Sequence, residues 1–234
     1  MSDSALRRQL QDRLLAVEER LTAACHRCGR ARPDVTLVAV TKTISPQLAA
    51  LLPDVGVIDL GESRPQELWR KAAVLSSVRW HMIGHLQSNK IERTLPLTHL
   101  IHGVDSVRLL HALDAEAGRQ QRTIAVLLQF NTSDEASKHG FAVADVDELA
   151  DVIPTLTHVH VRGLMTMAAF QEAEACRPCF SLLRQVRDRL RSRLAEPHIL
   201  EHLSMGMTND FEIAVEEGAT LVRLGTILFD GLAT

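Results

Sequence analysis

Apolar positions recur along this chain with two different periods. Over residues 3–27, Leu6, Leu10, Leu14, Val17, Leu21 and Ala24 fall at three- and four-residue steps, which places them on one stripe of a long amphipathic helix. After Pro33 the pattern changes. Short apolar runs rich in β-branched residues, the signature of strands buried on both faces, alternate with helix-like stretches. The predicted strands are Val35–Val40, Val57–Leu60, Val78–Ile83, His99–Val104, Thr123–Phe130, His158–Met165, Ile199–Ser204 and Thr220–Leu224. Helical stretches are predicted at 46–53, 65–75, 88–94, 106–118, 144–152, 170–194 and 210–217. Several carry end signals. Ser45-Pro46 supplies a cap hydroxyl and a first-turn proline. Ser63-Arg64-Pro65-Gln66 and Asn209-Asp210-Phe211-Glu212 resemble capping boxes, and Gly218 suits a helix stop.

Strands that alternate with helices make a parallel sheet. A count of eight points to a closed (β/α)8 TIM barrel, an α/β fold. The competing architecture, an open doubly wound sheet, normally has a glycine-rich turn after its first strand. Here that turn is Thr41-Lys42-Thr43-Ile44-Ser45-Pro46, with no glycine. A barrel of 234 residues is commonly one domain. Residues 1–30 are expected to form an extra N-terminal helix and 35–230 the barrel. Only Thr226–Thr234 follow the last strand, too few for a full eighth helix, so the N-terminal helix is expected to cover that gap.

Composition narrows the function classes. The hydrophobic fraction of 46% supports a sizeable core, and a net charge of −3 gives no general attraction to nucleic acid or anionic lipid. The first 30 residues lack a secretory signal, and no apolar run is long enough to span a bilayer. A cytoplasmic protein with reduced thiols is expected. Cys25/Cys28 and Cys176/Cys179 have C-x-x-C spacing, but they lie far apart and read as small apolar helix residues. His158-Val159-His160 could suggest a metal-dependent hydrolase. No H-x-x-x-H helix or carboxylate cluster accompanies it, and no metal site is expected.

In such a barrel the chemistry sits at the carboxyl ends of the strands. Lys42 follows the first strand, where partial burial would lower its pKa and expose a nucleophilic amine able to form a Schiff base. Gly61, Glu62 and Ser63 follow the second strand. His81 and Gly84 come at the third, His102 and Asp105 at the fourth, Asn131 at the fifth, and Met165 and Thr166 at the sixth. Ser204-Met205-Gly206-Met207-Thr208 follows the seventh and leads into a helix start, a setting that favours an anion. Gly225 and Thr226 follow the eighth, offering close backbone approach and a hydroxyl donor. A lysine opposite an anion cradle suits pyridoxal 5′-phosphate, whose aldehyde needs an amine and whose phosphate needs donors. Arg223 faces opposite to Val222 and Leu224 by strand alternation, so it can point into the barrel mouth. Beside the pyridine nitrogen it would hold that nitrogen unprotonated and weaken the ring as an electron sink.

Seven segments carry a resemblance: Val38-Ala39-Val40-Thr41-Lys42-Thr43, Gly61-Glu62, Trp80-His81-Met82-Ile83-Gly84, Leu86-Gln87-Ser88-Asn89-Lys90, Arg162-Gly163-Leu164-Met165, Leu203-Ser204-Met205-Gly206-Met207-Thr208 and Val222-Arg223-Leu224-Gly225-Thr226. In this order they resemble the pyridoxal-phosphate homeostasis proteins (the YggS/PROSC type), themselves similar to the barrel domain of alanine racemase. The resemblance implies a binder of pyridoxal phosphate acting in cofactor homeostasis, without an assigned reaction and so without catalytic residues. It implies the Schiff base on Lys42, the ring nitrogen on Arg223, the phosphate on Thr208, Gly225 and Thr226 beside Met207, and His81 near the ring. The family usually has Asn-Tyr where this chain has Ser63-Arg64, proline where His85 stands and glycine where Asp230 stands. Ser63 thus takes the asparagine's place near the cofactor. PLP-dependent apoenzymes are the expected partners of a monomeric carrier. The alternative is an amino-acid racemase. A two-base racemase needs an acid/base on each face of the cofactor, a tyrosine usually supplies the second, and this chain has none.

Overall fold

Eight strands close into one parallel barrel in sequence order. In the computed structural model, which describes residues 2–133, 139–169 and 172–232, they are β1 (Thr36–Val40), β2 (Asp59–Glu62), β3 (Arg79–Met82), β4 (Leu100–Val104), β5 (Ile124–Gln129), β6 (Val159–Met165), β7 (His202–Ser204) and β8 (Leu221–Leu224). Closure is made by β8 against β1, with Val38 beside Arg223 and Ala39 beside Leu224. The helices are α1 (Asp3–Arg27), α2 (Pro46–Ala49), α3 (Pro65–Ala72), α4 (Ile91–Thr94), α5 (Val107–Arg119), α6 (Val146–Val152), α7 (Arg177–Arg191), α8 (Phe211–Glu216) and α9 (Thr226–Phe229). The first two residues of the predicted 170–194 helix lie outside the described residues.

Strand alternation divides the core in two. Leu37, Ala39, Leu60, Val126, Leu128, Val222 and Leu224 belong to the large apolar layer between sheet and helices. Val38, Leu100, Leu127, Met165 and Leu221 form a smaller cluster inside the barrel. The rest of the interior is polar, and that difference sets up the site.

Helix α1 closes the outer ring. It buries Leu10, Leu14, Val17, Leu21, Ala24 and Cys25, each large side chain contributing about 1.5–3 kcal/mol. It packs against α8 and α9. Arg20 makes a two-point contact with Glu212 at 3.0 and 2.9 Å, and Arg13 donates to the Leu228 carbonyl at 3.0 Å. The helix thus covers the gap that the single turn of α9 leaves.

Local signals held unevenly. Ser45 caps α2 by accepting from the Leu48 N–H, and Gly218 ends α8 with φ +100°. Neither expected capping box forms. The Arg64 side chain makes no cap bond, Asp210 reaches back to the Met207 N–H at 2.6 Å, and Glu212 is drawn to Arg20. β2 starts two residues later than predicted, so Gly61 and Glu62 end the strand rather than follow it. Alternation then turns Glu62 outward, away from the mouth. It lies fully buried against Lys71 of α3, and Thr41 Oγ1 donates to it at 2.7 Å.

Candidate functional site

The carboxyl ends of the strands surround a cavity of about 620 Å³. Lys42, Ser63, Met207, Thr208, Arg223, Gly225 and Thr226 all line it, together with Val40, Ile83, Gly84, Met167 and Asp210. Residues from six strand ends, spread over 187 positions of the chain, are brought to one rim; only barrel closure can do this. Lys42 emerges just past β1. It is exposed at the cavity mouth rather than partly buried as expected, and no hydrogen bond to its ammonium is found among the described residues.

Arg223 forms the polar floor. The residue is 4% exposed, and its guanidinium donates to Ser204 Oγ at 2.6 Å and to the Thr166 carbonyl at 3.0 Å. Burial lowers its pKa to about 10, with the charge of Asp210 acting in the opposite sense. It therefore remains a cation at neutral pH and offers N–H groups to whatever occupies the cavity.

The far wall is the turn between β7 and α8, facing the start of α9. Gly206 is required there: φ is +93°, and a Cβ would stand 2.6 Å from that of Ala214. Thr208 Oγ1 accepts from the Ile227 N–H at 3.4 Å, tying the two loops together. The N–H groups of Thr208 and Asn209 make no hydrogen bond among the described residues, so this wall presents free donors beside the Thr226 hydroxyl. Across the cavity, Gly84 packs so closely on the loop of Ser63 that a Cβ would meet the Ser63 carbonyl at 2.2 Å. Arg64 points to solvent.

His81 is the exception among the expected site residues. It does not line the cavity. It is 2% exposed inside the barrel below it, with its ring nitrogens 2.9 Å from Asp59 Oδ1 and 2.9 Å from His102 Nε2. Its position on β3 turns it inward, but those two partners hold it a layer beneath the mouth. Asp210 is the residue that sequence reasoning missed. It reads as a helix cap, yet it is a buried carboxyl at the cavity wall; burial raises its pKa, against the pull of the Met207 N–H and Arg223. No group of metal-ligating side chains is found among the described residues, and His160 packs edge-on against His198.

An amine on one side, a buried guanidinium on the floor and backbone and hydroxyl donors on the opposite wall suit a flat anionic carbonyl compound. The fold and this arrangement define the chain as a barrel of the alanine racemase N-terminal-domain type, and the model of that domain matches residues 14–232. Similarity narrows this further. The pyridoxal phosphate homeostasis protein of Aquifex aeolicus is 38% identical over 221 residues, covering 93% of this chain and 96% of the relative. That of Escherichia coli K12 is 36% identical, over 92% and 94%. A structure of PipY from Synechococcus elongatus with PLP bound superposes with a TM-score of 0.81 at 32% identity, covering 94% and 99%. The chain belongs to the pyridoxal phosphate homeostasis protein family.

Proposed function

We propose that this protein binds pyridoxal 5′-phosphate in the 620 Å³ cavity and holds it for cellular homeostasis, without turnover. The observation that carries this reading is the sharing of one cavity by Lys42, Arg223 and the donors of the Thr208–Thr226 wall. The bound group supplies an aldehyde that condenses with a primary amine and a ring that accepts electron density. Lys42 is the amine for the Schiff base. Arg223 is the donor to the ring nitrogen, and because it keeps its own proton it leaves the ring a weak electron sink. Thr208, Gly225 and Thr226 are the phosphate contacts, with the Met207 backbone shaping the turn. Ser63 stands beside the ring with a short side chain.

The racemase reading is less well supported. It needs a second acid/base in the cavity, and both His81 and His102 are committed to hydrogen bonds inside the barrel. Residues 1–234 act as one binding domain, as a monomer, passing the cofactor to apoenzymes. No described helix is long and apolar enough to cross a membrane, and no disulfide joins the four cysteines among the described residues. Both suit the cytoplasm.

The absorbance spectrum tests the central claim. Wild type incubated with pyridoxal phosphate and freed of excess should be yellow, and borohydride should fix the chromophore on Lys42. Lys42→Ala should lose the visible band while keeping its circular dichroism. An unchanged band in that variant would refute the assignment.

A further inference from the structure

A row of polar side chains crosses the barrel below the cavity. Asp59 opens β2, His81 lies in β3, His102 in β4, Ser204 ends β7 and Arg223 lies in β8. All five are less than a tenth exposed. Asp59 Oδ1 is 2.9 Å from His81 Nε2, His81 Nδ1 is 2.9 Å from His102 Nε2, His102 Nδ1 is 2.8 Å from Ser204 Oγ, and Ser204 Oγ is 2.6 Å from the Arg223 guanidinium. The link from His102 to Ser204 joins strands that are not neighbours, so the row runs through the interior of the cylinder.

Its chemistry gives the row a direction. Arg79 pairs with Asp59 from the outer end, donating through Nε at 2.8 Å. Burial opposes ionisation of Asp59, but the hydrogen bonds from His81 and Arg79 prevail and lower its pKa to about 2. A carboxylate only accepts, so His81 Nε2 carries a hydrogen. A neutral His81 then accepts at Nδ1 from the Nε2–H of His102. His102 Nδ1 in turn accepts the Ser204 hydroxyl hydrogen, which leaves a Ser204 lone pair for Arg223. Every donor has one acceptor.

The reverse direction requires His81 to carry both ring hydrogens. Ser204 Oγ would then face two donors, and its own hydrogen has no further acceptor among the described residues. Burial, with the charge of Arg223, keeps His102 neutral, and the neighbouring His99 and His202 are lowered as well, chiefly by burial.

We propose that Asp59, His81, His102 and Ser204 are positioning residues for Arg223: a directed chain of donation, anchored by the Asp59–Arg79 pair at one end of the barrel, sets the orientation in which the guanidinium meets the ligand at the other. As a claim about the ligand it rests on the reading above. It assigns His81 a role at a distance from the ring, and it makes Asp59, which does not line the cavity, a determinant of binding. A group of satisfied core polar residues would contribute to stability only.

The test has two arms. In ligand-free protein labelled with 15N-histidine, proton–nitrogen correlation spectra should show His81 and His102 as neutral Nε2–H tautomers. Asp59→Asn introduces a side chain that can donate as well as accept, so His102 should shift toward the Nδ1–H form. In protein loaded with pyridoxal phosphate, Asp59→Asn and Ser204→Ala should each move the visible band and weaken retention in equilibrium dialysis roughly five- to tenfold. Ser204→Thr, which keeps the hydroxyl, should restore both.

A lowered melting temperature with unchanged tautomers, band and affinity in Asp59→Asn would overturn the proposal. So would an Nδ1–H tautomer of His102 in wild type. Altered tautomers with wild-type band and affinity would also overturn it, since the chain would then end short of the ligand. If wild type takes up no pyridoxal phosphate, the functional reading fails, and the ligand-free spectra still decide the direction of the chain.

Discussion

Arg223 is a buried cation whose hydrogen bonds go to two neutral oxygens, Ser204 Oγ and the Thr166 carbonyl. Such a group is costly to bury, and the cavity on its remaining side is where an acceptor would offset that cost. Thr226 on the opposite wall has the reverse character, exposed and able to spare its hydroxyl. Thr226→Val should weaken pyridoxal phosphate retention by about 1.5–3 kcal/mol, the value of a hydrogen bond to a charged group. Equal affinity in equilibrium dialysis would remove Thr226 from the phosphate site. Lys42 and Thr226 were legible as cavity-lining positions because each stands two residues past the end of a strand. Asp210 was not legible, since an aspartate before a helix usually caps it, and only the turn at Gly206 draws its carboxyl back to Met207. His81 was legible as a residue near the end of the third strand, but its partners Asp59 and His102 depend on the register of three strands, which no local pattern encodes.

At the scale of elements, β2 and α3 are held together by a charge pair in the dry layer between them. Lys71 is 1% exposed, is paired with Glu62, and donates to the Thr41 carbonyl at 2.6 Å. One Glu62 oxygen, Oε2, has no hydrogen-bond partner among the described residues. Thr41 immediately precedes Lys42, so this pair also anchors the backbone from which the cavity amine projects. Lys71→Met should destabilise the protein by about 3–5 kcal/mol in urea unfolding, because it strands a buried carboxylate. The double variant with Glu62→Leu should recover most of that loss. If the single variant costs less than about 1 kcal/mol, water reaches Glu62 and the layer is not dry. The two-residue shift of β2 kept this pair out of view at the sequence level. A strand of four residues has too little periodicity to fix its own ends, and a residue placed beyond the last strand position is assigned no face by alternation. The 25-residue helix α1, by contrast, was readable to its ends.

For the whole molecule the titrating groups predict loss of stability in acid. Burial holds His99, His102, His198 and His202 below their ordinary value of 6.5. Below that pH the unfolded chain takes up protons that the fold resists, so stability should fall as pH drops through about 6.5. Asp59 adds a second loss between its ordinary 3.8 and about 2, since its folded pKa is depressed. Asp210 acts with the opposite sign: its raised pKa gives a contribution present below 3.8 and lost as pH rises past it. Urea midpoints should therefore decline from about pH 7.5 to 5.5, and again toward 3, with Asp59→Asn flattening the lower limb alone. A midpoint independent of pH between 7.5 and 5.5 would mean that the histidines are accessible to protons in the native state.

The seam sealed by α1 also bears on biosynthesis. Arg20 meets Glu212 across 192 residues of chain, so a polypeptide leaving the ribosome presents its greasy leading helix long before the surface that will receive it exists. That helix must stay tethered and unaggregated until α8 and α9 have emerged. The ring of helices is therefore closed by a segment synthesised before every strand of the barrel.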